Sequence, residues 1–162
     1  MKNKLLVVIS GLCMSISSVT WSYDTEMAES YAKFFSEASG ADVAEVFQFI
    51  DAKTFTNNIK EGQDYLAIDI RTPGETGVVS LALKNSIRIP MDQLFDPMNL
   101  KKIPTNKPVV IICKSGGRAT AAGISLRHIG FNNVQILSGG IQGLSSYYGT
   151  KQAYEKPGPN KK

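Results

Sequence analysis

The residues Val109, Val110, Ile111 and Ile112 form a run that is β-branched throughout and has no polar position. A strand of this kind has no face suited to water, so it calls for cover on both sides, the situation of an interior strand in a parallel sheet. The rest of the chain alternates around it. Short apolar segments at Phe47 to Ile50, Tyr65 to Ile70, Ile87 to Ile89 (closed by Pro90) and Val134 to Leu137 read as four more strands. Between them lie helical patterns. Asp51 can cap a helix running to near Asn58, Asp92 to Lys101 reads as an irregular helix broken by Pro97, Arg118 to Ile129 as a helix capped by Gly130, and Ile141 to Tyr148 as a last helix. Five strands alternating with helices predict a three-layer α/β domain, with helices on both faces of a mostly parallel sheet.

At 162 residues, 43% hydrophobic and 20% charged, the chain has the size and balance of one globular domain. Its formal charge of +4 is concentrated at Lys2, Lys4, Lys161 and Lys162. The body between is nearly neutral, so nucleic acid is not expected as a partner. Residues 1–22 read as a cleaved export signal, with Lys2 and Lys4 as a basic start, an apolar segment from Leu5 to Ile16, and small or polar residues after it. The apolar run is shorter than the roughly 20 residues that span a bilayer, which disfavours the alternative of an uncleaved tether. A periplasmic or otherwise exported protein with no stable membrane association is therefore expected. Residues 23–45 form a helical extension, with Met27, Tyr31, Phe34, Phe35 and Ala38 at helical spacing between Asp24 and Ser39 and Gly40 as the stop. The α/β domain occupies 46–148, and 149–162, with Pro157, Gly158 and Pro159, reads as a disordered tail.

Removal of the signal takes Cys13 with it and leaves Cys113 without an internal partner in an oxidising compartment. Cys113 ends the apolar strand, the position where ligand sites of open α/β sheets lie, and opens the loop Cys113, Lys114, Ser115, Gly116, Gly117, Arg118 that leads into a helix. Gly116 and Gly117 let successive N–H groups turn inward to form an anion nest at the helix N-terminus, while Lys114 and Arg118 add positive charge. A sulfur at the centre of such a nest is expected as a thiolate. Two glycines and two cations around a sulfur are not what an inert buried cysteine requires.

With these residues named, Cys113 to Arg118 resembles the active-site loop of a single-domain rhodanese, a sulfurtransferase. Asp69, Ile70, Arg71 and Glu75 are similar to the family's Asp-x-Arg-x-x-x-Glu stretch, Ile87 to Pro90 to its short strand ending in Pro, and Leu137 to Gly140 to its Leu-x-Gly-Gly. Two features depart from that pattern: Leu81, Ala82 and Leu83 stand where Gly-His-Ile is usual, after an insertion around Thr76 to Ser80, and Leu144 replaces an aromatic. The resemblance implies a cycle in which Cys113 takes the outer sulfur of a small anionic donor such as thiosulfate, holds it as a persulfide, and passes it to cyanide or to a thiol acceptor, a protein thiol included. It implies neither a metal nor an organic cofactor. Lys114 and Arg118 point to an anionic donor.

A cysteine phosphatase is the nearest chemical rival. Its loop has five residues between Cys and Arg where this one has four, and no Asp adjoins the loop in sequence to serve as general acid. A non-catalytic module that binds an anion or a partner, and a thiol redox sensor, are the readings from other classes. Asp69 and Arg71 could support substrate, though a local ion pair and turn anchor is the better expectation. His128 falls in the last turn of its helix, suited to the helix dipole and not to catalysis.

Overall fold

In the computed structural model, residues 22–40 and 43–156 are described. The export segment proposed for 1–22 and the tail beyond Lys156 lie, apart from Ser22, outside them. Five parallel strands form one sheet in the order β1-β5-β4-β2-β3, where β1 is Phe49–Ile50, β2 Leu66–Asp69, β3 Ser86–Arg88, β4 Val109–Ile112 and β5 Val134–Leu137. The apolar run is β4, at the centre and buried at every position. Alternation along it divides the core. Val109 and Ile111 face one cluster with Ile68, Ile70, Leu94, Leu126 and Ile136, while Val110 and Ile112 face another with Ile50, Phe55, Tyr65, Leu137 and Leu144.

Helices cover both faces, as a parallel sheet requires. On one side lie α3 (Ala52–Lys60), whose N-terminus Asp51 caps by accepting from Thr54 N at 2.8 Å, and α7 (Gly140–Tyr147). On the other lies α6 (Gly117–His128), preceded in the chain by the short α5 (Pro97–Leu100). Gly123 lets α6 approach closely, since a Cβ there would stand 2.4 Å from Ile136 Cγ1. The chain turns to opposite sides after β2 and after β4, so the carboxyl ends of these neighbouring strands form the switch-point crevice in which α/β domains place their sites.

Several boundaries differ from expectation, each for a local reason. The first strand spans only Phe49–Ile50, because Gln48 takes a positive φ of 56° and Phe47 N donates back to Val43 O of the short α2 (Val43–Val46). Pro97 does not break a helix but begins α5, where its missing N–H costs nothing, and Met91–Gln93 is a separate 3-10 turn. The extension forms α1 (Thr25–Phe35), with Asp24 accepting from Met27 N at 2.9 Å, and stops at Ser36, ahead of Gly40. Pro73–Val78, which overlaps the start of the insertion read around Thr76 to Ser80, is α4, capped by a reciprocal Thr72–Glu75 box. The expected disorder after Gly149 is corrected for Thr150–Tyr154, which forms α8. There the Lys60 ammonium donates to Gln152 O and, at 2.8 Å, to Glu155 O, satisfying carbonyls at the end of that helix.

Candidate active site

Cys113 follows β4 directly and is 1% exposed. Its Sγ accepts from two backbone donors, Gly116 N at 3.1 Å and Ala119 N at 3.3 Å, the second from the first turn of α6. The expected cradle is therefore present, completed by a donor from Ala119 that the sequence does not single out. Such N–H groups, with the N-terminus of a twelve-residue helix behind them, are complementary to negative charge at sulfur. Lys114 and Ser115 are exposed at the outer edge.

The two glycines of the loop are not equivalent, which corrects the expectation that both shape the nest. Gly116 has φ +101°, and a Cβ on it would meet Gly139 N at 3.2 Å. Gly117 is an ordinary first residue of α6 with open space around its Cα. A more demanding glycine is Gly140, at φ +55°, where a Cβ would stand 2.3 Å from Cys113 O and 2.8 Å from Ser115 N. That absence of a side chain lets Ile141 N donate to Cys113 O at 2.8 Å and Gln142 N to Lys114 O at 3.0 Å. The Leu137 to Gly140 stretch thus serves as a brace for the cysteine loop.

Arg118 does not act as a free cation. Its Nη1 and Nη2 donate to Glu75 Oε2 and Oε1 at 2.8 and 2.6 Å, a bidentate pair about a third exposed on each side. The guanidinium beside it holds the Glu75 carboxyl down at about 2, helped by Thr72 N, which donates to Oε2 at 3.0 Å. Arg118 in turn is held more firmly protonated, first by Glu75 and then by its proximity to Cys113. Thr72, three residues before Glu75, was the available sequence signal for this carboxylate, as a capping box opening on Pro73.

Asp69 and Arg71 form the expected ion pair. Arg71 Nη2 donates to Asp69 Oδ2 at 2.7 Å, Nε donates to Oδ1 at 2.9 Å, and both side chains are at most 3% exposed. The Asp69 hydrogen bonds hold the guanidinium more strongly protonated. Arg71 Nη2 also donates to Val79 O at 2.8 Å, tying the end of α4 to β2 and so fixing the helix that presents Glu75. The pair is a positioning element. Beside Arg118 opens a cleft of about 660 Å³ with Ile70, Pro73, Pro90 and Met91 on its walls. Asp92 lines it too, so an acid absent from the loop's sequence neighbourhood does share a cleft with Arg118. Among the described residues, no group of three or more His, Cys, Asp and Glu side chains gathers as a metal site would require.

His128 lies away from this crevice, at the last residue of α6. Its ring stacks on Tyr31 of α1 with centroids 4.1 Å apart, and its Nε2 is 3.1 Å from Ser30 Oγ.

A parallel α/β sheet with a cysteine cradle at its switch point defines a class of protein, and comparison with known proteins identifies the family. The model of the rhodanese-like domain matches residues 51–147, and the chain belongs to that family. A sulfurtransferase of Allochromatium vinosum is 33% identical over 92 residues, covering 57% of this chain and 82% of that one. The probable adenylyltransferase/sulfurtransferase MoeZ of Mycobacterium tuberculosis is 27% identical over 143 residues, which span 84% of this chain but 36% of that relative. Among solved structures, a rhodanese-related protein from Thermoplasma volcanium superposes with a TM-score of 0.52 at 31% identity, covering 63% of this chain and 95% of the other.

Proposed function

We propose that this protein is a sulfurtransferase that carries sulfane sulfur on Cys113. The observation that carries the reading is the pair of backbone N–H groups, from Gly116 and Ala119, directed at a sulfur enclosed at the carboxyl end of the central strand. In the first half-reaction the Cys113 thiolate attacks the outer sulfur of the donor and the donor's S–S bond breaks. With thiosulfate, sulfite departs with the bonding electrons and a Cys113 persulfide anion remains. In the second, an acceptor thiolate or cyanide attacks the terminal sulfur, and Cys113 leaves as thiolate. The mobile group rides on the cysteine throughout, so the cycle calls for no further cofactor. Donors in the cradle suit the charge that sulfur carries in each resting form. The four-residue spacing between Cys113 and Arg118 favours a single sulfur atom over a tetrahedral phosphate.

The proposal includes export, with residues 1–22 removed and a thiol on a small molecule or a protein as acceptor. One experiment addresses both parts: the intact mass of the protein from an exporting host, measured before and after thiosulfate. The expected result is a chain shortened near residue 22 that gains the mass of one sulfur atom, lost again on adding cyanide. Cys113→Ser folds to the same stability and gains none, since a hydroxyl cannot form the persulfide. Sulfur gain by that variant would refute the role of Cys113.

A further inference from the structure

The cleft beside Arg118 borders the end of the strand that presents the thiol. Ile70, on its wall, donates its N–H to Ile112 O, the carbonyl just before Cys113, at 2.9 Å, and accepts from Met91 N at 3.1 Å. The turn Met91–Gln93 is thereby stitched to the site. Among the described residues, the charged side chains that line this cleft are Arg118 and Asp92, while Lys114, exposed on the outer edge of the loop, does not line it. The two are held differently. Arg118 lies close enough to Cys113 to feel its charge, yet gives both terminal nitrogens to Glu75 at 2.8 and 2.6 Å. Asp92 is exposed and, among the described residues, makes no hydrogen bond and no ion pair. With sulfur loaded on Cys113, the charged groups here are Arg118, Glu75, the outer sulfur and Asp92, and only the first is positive. The second half-reaction brings one more anion, the acceptor thiolate, to the same place. A cation carried beside that thiolate would offset the repulsion and find Asp92 free to receive it. Pro73, Pro90 and Met91 offer apolar wall to the carbon atoms between them.

We infer that Asp92 is a specificity-determining residue that selects, for the second half-reaction, an acceptor thiol with a positive charge beside it, as in an aminothiol or a cysteine next to a lysine. This rests on the reading of Cys113 as a persulfide carrier. The step balances without a further reactant. The acceptor thiolate bonds to the outer sulfur, the S–S bond to Cys113 breaks, Cys113 keeps the electron pair as thiolate, and the acceptor leaves as a persulfide. Asp92 takes no part in the bond changes and acts only on which acceptor reaches them.

Cysteamine and mercaptoethanol make a matched pair of acceptors, equal in length and different by one charge. With Cys113 loaded from thiosulfate and the excess donor removed, the measurement is the second-order rate at which each takes the sulfur. Asp92→Asn should lower the ratio of the cysteamine rate to the mercaptoethanol rate about threefold, and Asp92→Lys should lower it further. Comparing one ratio between proteins cancels the acceptors' own difference in thiolate fraction. Asp92→Glu keeps the charge and should keep most of the ratio. In the wild type the ratio should fall as ionic strength rises, and it should fall less steeply in D92N, where the remaining slope belongs to the sulfur on Cys113. The same contrast set in short peptides, Cys-Lys against Cys-Gln, names the source of the thiol: a larger dependence on Asp92 than the small pair shows marks a protein acceptor, a smaller one an aminothiol. A merely structural role for Asp92 would slow both acceptors together and leave the ratio alone. An unchanged ratio in D92N and D92K, or an equal loss in D92E, would overturn the inference while leaving the sulfurtransferase reading intact. Failure of the wild type to gain sulfur from thiosulfate would instead remove that reading, and this one with it.

Discussion

The cysteine loop and helix α1 are held in opposite ways. From Cys113 to Gly116 the chain has no regular structure, yet Cys113 and Gly116 are buried, and Cys113 O, Lys114 O and Gly116 O accept from Ile141, Gln142 and Thr120 N at 2.8 to 3.0 Å. Helix α1 is eleven residues of regular structure that buries none of them. Its hold on the domain is by aromatic rings and one polar contact: Tyr31 on His128 at 4.1 Å, Phe34 edge-on to His128 at 5.1 Å, Phe34 over Phe47 at 6.4 Å, and Ser30 Oγ 3.1 Å from His128 Nε2. Local regularity and rigidity are therefore separate properties. The loop is tied by hydrogen bonds to helices α6 and α7, as a site that must place one sulfur atom requires, while helix α1 is expected to detach at modest cost.

Gly140→Ala should have the largest effect, and on the loop alone, since its methyl would occupy space 2.3 Å from Cys113 O. The expected loss is about 3 kcal/mol of stability in denaturant titration, and about a hundredfold in sulfur-transfer rate through displacement of the thiol. Phe34→Ala should act on the other region. We expect a loss of about 1 kcal/mol, seen as faster hydrogen exchange throughout α1, with the Gly116 and Ala119 amides still protected. Equal acceleration in both places would mean that α1 and the loop form one cooperative unit.

Acid offers a test of the loop's outer brace. The Glu75 carboxyl lies at about 2 in the folded protein against an ordinary 4.5, so its contribution is fully present above pH 4.5 and is lost as pH falls towards 2. Melting temperatures should therefore converge between wild type and E75Q across that window, the wild type losing more. Parallel curves would show that the Arg118 pair contributes nothing to stability. The smallest effect belongs to Gly117→Ala, at a helical position facing open space, where a change within about 1 kcal/mol and towards greater stability is expected. A large loss there would restore Gly117 to the nest.

Much of the molecule was legible residue by residue. The limits of β4 and β5 coincide with the segments that predict them, β4 because a strand covered on both faces announces itself by composition alone. Asp51 capped the helix expected of it, and the Asp69–Arg71 pair took its expected turn-anchoring form, since cap and pair are interactions within a few residues. Helix α4 was hidden by its Gly74 and Gly77 and by its short length, although its capping box was in view.

The parallel sheet, the place of Cys113 at the end of its central strand and the glycine-bearing loop that follows are all legible in the chain's own order of residues. All of these are written in contiguous stretches whose periodicity or backbone freedom leaves few alternatives. Only folding brings Arg118 to Glu75, 43 positions away, and His128 to Ser30 across 98. It also decided that Gly140, and not Gly117, is the glycine the loop cannot replace. These outcomes depend on which segments the sheet order brings side by side. Charge and shape at the site are sums over neighbours in space, and a residue's neighbours in the chain carry no record of them.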